Sequence, residues 1–237
     1  MSFFGRITLT GTISVQTGLH IGTGGAGGIG LVDNPIIRDP ISKRPIVPGS
    51  SLKGRLRHGL ETLLGENSQR HPEVTRLFGG SADDSESGLT RLYVRDSHLT
   101  EGTVKHLESL DSDSNFVEVK TENRIDRVTG TAEHPRQAER LPAGSKLELE
   151  IVYNVYNLDE AADDLQNLRA CFDFVEDEYL GGSGSRGYGR VKLPIDKVVW
   201  KTIDDYKALA IAKEEIVGNR DWLTVACDLC GLTTSVR

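Results

Sequence analysis

Apolar and polar residues alternate over residues 6–15, "RITLTGTISV", which puts Ile7, Leu9, Ile13 and Val15 on one face of a half-buried strand. The same two-residue period returns in "KLELEIVYNV" (146–155), where Leu147, Leu149, Ile151 and Tyr153 share a face. Between these stretches the period lengthens. Leu52, Leu56, Leu60, Leu63 and Leu64 recur at helical spacing behind Pro48-Gly49, with Ser50 or Ser51 as N-cap and Gly65 as the stop. A second helix is predicted over about 159–177, with Leu165, Leu168, Phe172 and Val175 inward.

Weaker signals fill the gaps. A short strand around Leu19–Ile21 leads into the Gly-rich run 22–30, and four prolines keep the following stretch to residue 51 extended or looped. The region 66–145 is polar and rich in turn residues. It holds one clear strand, "RLYVRD" (91–96), and two strand-like arms, 117–141, around the turn Thr129-Gly130-Thr131. A hairpin with charges on both faces has little to bury, so it is expected to project and grip something. Near the end, "GRVKLPIDKVVW" (189–200) reads as a strand and "DDYKALAIAKEEI" (204–216) as a modest helix, while the rest of the C-terminal segment has no clear assignment. Two helices among antiparallel-type strands give an α+β fold with a βαββαβ-like core and insertions.

Composition narrows the class. With 237 residues, 37% hydrophobic and 27% charged, the chain reads as a globular protein able to bury a sizeable core. No apolar run approaches the ~20 residues of a membrane helix, and the start lacks a signal peptide's basic end and apolar block, so no membrane partner and a cytoplasmic location are expected. Three cysteines argue against a disulfide framework, and the single pair Cys227/Cys230 lacks the further ligands of a structural zinc site. A net charge of −7 speaks against nucleic acid only on its face. Much of the acid lies in runs such as 81–88 and 110–114, and the clustering of basic groups decides binding.

Two stretches formally match the dinucleotide fingerprint, Gly182-x-Gly184-x-x-Gly187 and Gly22-x-Gly24-x-x-Gly27. The first runs helix, glycines, strand, the reverse of what a pyrophosphate on a helix N-terminus needs; the second leads into prolines. No nucleotide cofactor is expected. Successive N–H groups, Ser183, Ser185 and Arg186 nevertheless make a plausible anion nest, and Tyr188 offers a stacking face. A flexible helix-to-strand connection would account for the glycines alone. In "PGSSLKGRLRHG", Lys53 and Arg57 share one helix face with Arg55 and His58 to the sides. Cations oppose the macrodipole there, so Ser50, Ser51, the free N–H groups and Lys53 together suit a phosphate, against the plainer reading of a solvated basic face. Arg124, Arg127, Arg136 and Arg140 interleave with acids in the hairpin, which self-pairing would explain. Asp33, expected exposed and mobile between glycines and Pro35, could position a metal-bound water or a ribose hydroxyl, although Asp-Asn-Pro is also an ordinary turn. His20 could serve as acid, base or RNA contact, or be only structural.

Three segments, "DNPIIRDPISKRPIVPGSSLKGRLR", "ENRIDRVTGTAEHPRQAER" and "YLGGSGSRGYGRV", together resemble the RAMP-superfamily backbone subunit of type III CRISPR effector complexes, the Csm kind. The resemblance covers about residues 6–195, in order. It implies a single RAMP domain with an RRM-like ferredoxin core (about 6–65 and 146–200), an insertion at about 66–145 containing a thumb hairpin (117–141), and a C-terminal segment (201–237). It implies a subunit that polymerises with its own copies along a guide RNA (crRNA) beside other type III subunits. The helix after "PGSS" (Ser50, Ser51, Lys53, Arg55, Arg57) and the loop Gly182, Ser183, Gly184, Ser185, Arg186, Tyr188 would face the guide, with His20 beside them. Hairpin residues Arg124, Arg127 and Arg136 would meet the guide–target duplex. Asp33 falls on the family's catalytic position, implying cleavage of target RNA at regular intervals with a divalent metal such as Mg2+ or Mn2+. A purely architectural guide-binding subunit, and a metal-independent guide-processing ribonuclease with His20 as base, are the alternatives.

Overall fold

The computed structural model describes residues 2–24, 33–65, 71–80, 89–110 and 116–233, without the side chains of Arg124 and residues 132–135. The first half comprises β1 (Gly5–Val15), β2 (Ile46–Val47), α1 (Gly49–Leu64), α2 (Pro72–Phe78), β3 (Leu92–Val94), β4 (Ser97–His98) and α3 (Glu101–Leu110). A hairpin follows, β5 (Glu118–Ile125) and β6 (Ala132–Arg140), then β7 (Lys146–Val155) and α4 (Leu158–Asp177). The chain closes with β8 (Val191–Lys192), β9 (Ile195–Thr202), α5 (Ile203–Lys207), β10 (Lys213–Ile216) and α6 (Trp222–Cys230).

β1 is the centre of an antiparallel sheet of order β10-β9-β1-β7-β3, with β8 paired to its last residues. It lies against β7 from Gly5 opposite Val155 to Ser14 opposite Lys146, and against β9 from Gly5 opposite Thr202. Alternation sets the faces: Ile7, Leu9, Ile13 and Val15, with Leu147, Leu149, Ile151 and Tyr153, turn into one buried cluster. Helices α1 and α4 bring Leu52, Leu56, Leu60, Leu165, Leu168, Phe172 and Val175 to the same cluster. Each such side chain contributes about 1.5–3 kcal/mol when fully buried. Gly59 sets how closely the helices approach, because a Cβ there would stand 3.0 Å from the Phe174 ring.

A charged cluster sits inside. Asp164 on α4 is fully buried and accepts from Arg76 Nε at 2.7 Å, Arg91 at 2.9 Å and the Tyr153 hydroxyl at 2.6 Å. Through it α2, the residue preceding β3, and β7 are tied to α4.

Several expectations change. The strand at 92–94 comes from the stretch read as an insertion, yet forms an edge of the main sheet. Helices α2 and α3 escaped the sequence reading. α1 begins at Gly49 with Pro48 as its N-cap and no capping side chain, so Ser50 and Ser51 lie inside the first turn. The helix expected over 204–216 is only α5, capped by Thr202 and Asp205, and "KEEI" is instead β10, paired to β9. α6 packs Trp222 and Val225 into the core, with Trp222 5.6 Å from the Phe172 ring. Cys227 and Cys230 sit on that helix, where burial raises both thiols, Cys230 to about 12. Among the described residues no helix is long and apolar enough to cross a membrane.

Candidate functional site

Beyond β1 the chain continues as an extended strip, Gln16–Gly22, onto which three other segments are laced. On one side the glycine loop is fixed by Gly189 N–H to the Gly18 carbonyl (3.0 Å) and Gly182 N–H to the His20 carbonyl (2.9 Å). On the other, Leu19 and Leu141 exchange both backbone hydrogen bonds at 2.9 and 2.8 Å, joining the strip to the foot of the hairpin. Further along, Ile37 N–H reaches the Ile21 carbonyl at 2.8 Å and brings in the segment after Asp33.

Asp33 is exposed but held. Its Oδ2 accepts the Gln137 N–H at 3.0 Å, Asn34 N–H donates to the Gln137 carbonyl (3.2 Å), and Glu139 N–H donates to the Asn34 carbonyl (3.0 Å). The expected mobile turn is therefore a short parallel pairing with β6, and this corrects the sequence reading. Two residues along the same strand, the Glu139 carbonyl lies 2.7 Å from His20 Nδ1. A carbonyl oxygen only accepts, so Nδ1 carries the proton and the neutral ring keeps its lone pair on Nε2. The Glu139 carboxylate in turn accepts Ile36 N–H at 3.1 Å and pairs with Arg38 at 3.3 Å. Gln137 and Glu139 thus serve Asp33 and His20 from one strand edge. Nothing in the local sequence signals this, since the partners stand more than a hundred positions apart.

The glycine loop, with its single 3-10 turn Gly184–Arg186, joins α4 to β8. Its glycines answer to the chain itself. At Gly181 (φ 79°) a Cβ would stand 2.3 Å from the His20 carbonyl oxygen, and at Gly189 (φ 72°) 2.0 Å from that of Leu180. The close approach read as one to an RNA backbone is here an approach to neighbouring peptide groups. Tyr188 is also corrected. It is 2% exposed, its hydroxyl donates to Glu122 Oε1 at 2.8 Å, and Lys120 Nζ and the Arg140 guanidinium approach its ring at 4.5 and 4.9 Å. A ring so covered anchors the hairpin and presents no stacking face. Hydrogen bonding and burial push its hydroxyl up to about 12, with burial the larger cause. Arg186 is 70% exposed, and Ser183 takes a left-handed φ of 60°. Gly182, Ser183, Gly184 and Ser185 lie in the same surface loop.

The basic face of α1 is turned inward more than expected. Lys53 Nζ donates to Thr90 Oγ1 at 2.8 Å, and desolvation lowers its pKa, with Arg57 adding repulsion. Arg57 reaches Glu61 at 2.8 Å and the Gly79 carbonyl at 3.0 Å. Arg55 donates to the Tyr179 carbonyl at 2.8 Å, pairs with Glu178 and lies over the Tyr179 ring at 4.4 Å. At the helix start Gly49 N–H already meets the Asp96 carboxylate at 2.7 Å, which holds the place foreseen for a phosphate there. Ser50 remains exposed and Ser51 half-buried. On the hairpin, Arg127 and Arg136 are exposed, as are Val119, Ile125 and Val128, while the Arg124 side chain and Gly27 lie outside the described residues.

A separate two-stranded hairpin, an anchored carboxylate at its foot and a glycine loop with an outward arginine, all set beyond one end of the central strand of an antiparallel sheet, define a class. The chain belongs to the RAMP superfamily, which it matches over residues 12–192. Its relatives are more particular. The CRISPR system Cms endoribonuclease Csm3 of Enterococcus italicus is 38% identical over 202 residues, 82% of this chain and 92% of that protein. The Csm3 of Streptococcus thermophilus is 41% identical over 196 residues, 79% of this chain and 87% of that one. Among solved structures, a chain of the Csm3–Csm4 subcomplex of the type III-A CRISPR-Cas interference complex superposes with a TM-score of 0.62 at 27% identity, covering 99% of this chain and 100% of that chain.

Proposed function

We propose that this chain is the repeated backbone subunit of an RNA-guided type III-A CRISPR complex, and that it cuts complementary target RNA at Asp33. The observation that carries the reading is the Asp33–Gln137 hydrogen bond at 3.0 Å, which fixes a carboxylate at the root of a hairpin long enough to reach into a duplex. The relatives named endoribonuclease support the activity. The sheet order β9-β1-β7-β3, with α1 and α4 on one face, supports an RRM-like ferredoxin core within a single domain, whose proposed location is the cytoplasm. Guide RNA, target RNA, further copies of the chain and other complex subunits are its proposed partners.

RNA brings its own nucleophile, the 2′-hydroxyl beside each phosphate: its oxygen bonds to phosphorus as the bond to the 5′-oxygen breaks, leaving a 2′,3′-cyclic phosphate and a 5′-hydroxyl protonated from water, so the protein's task is to align the 2′-hydroxyl and accept its proton. Asp33, steadied from β6, would do so at one step of the target strand. The exposed apolar residues Val119, Ile125 and Val128 on the hairpin would separate the neighbouring bases, and Arg127 and Arg136 would hold phosphates. Guide contacts would come from Arg186, Ser183, Ser185 and the backbone around Gly184, on a loop that Gly182 ties to the His20 carbonyl, with Ser50 and Ser51 alongside and Lys53, Arg55 and Arg57 shaping the helix behind them.

Among the described residues no three His, Cys, Asp or Glu side chains gather as a metal site. Asp33 alone fits the mode in which Mg2+ takes one or two carboxylates and fills its shell from substrate phosphates and water. A divalent ion so held would neutralise charge building on the attacked phosphate. The metal-independent alternative draws on His20, whose Nε2 lone pair is free to act as a base once Nδ1–H is committed to Glu139. In a reconstituted complex, Asp33→Ala should abolish target cleavage while guide and target binding persist. Unchanged cleavage would refute the assignment, and cleavage that survives EDTA but not His20→Ala would favour the alternative.

A further inference from the structure

Between the glycine loop and the foot of the hairpin, one carboxylate serves three groups. Glu122 Oε1 accepts the Tyr188 hydroxyl at 2.8 Å and lies 3.3 Å from Lys120 Nζ, while Oε2 stands 3.8 Å from the Arg186 guanidinium. The two sides of this cluster differ. Tyr188 is buried and held, with Arg140 beside its ring paired to Glu118 at 2.6 Å. Arg186 is 70% exposed and its contact with Glu122 is long. The cation that the loop turns to solvent therefore already has an anion of its own chain beside it, and that anion is fixed from behind by tyrosine rather than by the arginine.

We infer that Glu122 is an internal competitor for RNA phosphate at Arg186, and so a determinant of discrimination against unrelated polyanions. The inference rests on the proposed RNA-binding function. An exposed ion pair and a single phosphate contact are of similar strength, so exchanging one for the other gains little by itself. An RNA held at many other points completes the exchange; one that touches only the loop does not. Because Tyr188 and Arg186 use different oxygens, Glu122 keeps its place when Arg186 swings away. A neutral arginine–glutamate pair also releases fewer counterions than a lone cation when phosphate arrives, which flattens the salt dependence of loose binding.

The test uses the full chain and a labelled mixed-sequence single-stranded RNA, titrated over a range of salt. Glu122→Gln keeps an acceptor for Tyr188 and removes only the charge. It should bind about two- to fivefold tighter at low salt, the scale of an exposed ion pair, with a salt slope steeper by about 0.7. Because Glu122 also pairs with Lys120 at 3.3 Å, the same substitution is repeated on Lys120→Gln, where both effects should persist, and on Arg186→Gln, where both should be lost. Glu122→Asp and Tyr188→Phe, which keep the charge, should give no gain. Unchanged affinity and slope in a Glu122→Gln chain with native circular dichroism overturns the inference, as does a gain that persists without Arg186. Normal salt-dependent binding without a Glu122 effect defeats this inference alone. Failure of every variant and the native chain to bind RNA defeats the RNA-binding reading with it.

Discussion

Asp164→Ala is expected to cost about 3 kcal/mol of stability without touching the RNA site. The fully buried carboxylate accepts three hydrogen bonds, from Arg76, Arg91 and the Tyr153 hydroxyl. Removing it strands Tyr153 without an acceptor and leaves Arg91, only 5% exposed, with Glu160 at 2.6 Å as its remaining acid. Removing one partner of a buried pair costs about 3–5 kcal/mol, and the surviving Glu160 contact and the part-exposed Arg76 argue for the lower end. In a chain of this length each kcal/mol moves the melting point by about 2–4 °C, so a fall of about 6–12 °C is expected by far-UV circular dichroism. Asp164→Asn, which keeps the shape and one acceptor oxygen, should fall less. The site begins at the far end of α4, about 20 Å along the helix. Guide affinity measured well below the transition should therefore be unchanged. A fall under about 2 °C, or an Asn variant as damaged as the Ala, would refute the account of this network.

Gly189→Ala puts a Cβ 2.0 Å from the Leu180 carbonyl oxygen and breaks the loop's tie to Gly18, whereas Gly187→Ala has open space and only its φ of 83° to oppose it. Left-handed strain alone is about 1–2 kcal/mol, so hydrogen exchange at Leu180 and Gly189 should accelerate far more in the first variant than in the second. Neutralising Arg127 or Arg136 should flatten the salt dependence of RNA binding by about 0.7 each, while Lys53→Met, whose ammonium is already given to Thr90, should not; equal effects would mean that Lys53 leaves Thr90 to meet RNA. At the hairpin tip, the N–H groups of Thr129 and Val128 hold the Asp126 carboxyl below its usual 3.8. A depressed acid stabilises the turn above 3.8 and loses that contribution as pH falls through its lower folded value. NMR titration should therefore show the Val128 and Thr129 amides shifting only below about pH 3.8.

The chain's large elements were legible because their periods are long and clean: β1, β7, α1 and α4 announce their buried faces residue by residue. What was misread turns on partners distant in sequence. "AKEEI" has good helical propensity, yet β9 captures "KEEI" as an edge strand, and packing overrides propensity. The short α2 is held by His71 at its start and by Arg76 on Asp164, neither visible as a pattern. At the site, the residue types in the glycine loop pointed to an anion, and of these Arg186 stands exposed beside Glu122. Tyr188 looked like a base-stacking ring only because Glu122, Lys120 and Arg140, which enclose it, lie 48 to 68 positions away. Asp33 was singled out by its neighbours in the chain, but its anchor on Gln137 required the fold.

Asp33 and His20 take their bearings from Gln137 and Glu139, near the base of β6, and not from the turn at Asp126–Thr131. The reach of the hairpin is thereby uncoupled from the placement of these two groups, and so from the alignment of the proposed cut. Adding residues in matched pairs near the tip would extend the arm by about 3.3 Å per pair, leaving the carboxylate where it is. A single unmatched residue below position 137 would instead rotate the strand's edge and release both groups at once. The length of the arm is therefore free to change, and the parity of its base is not.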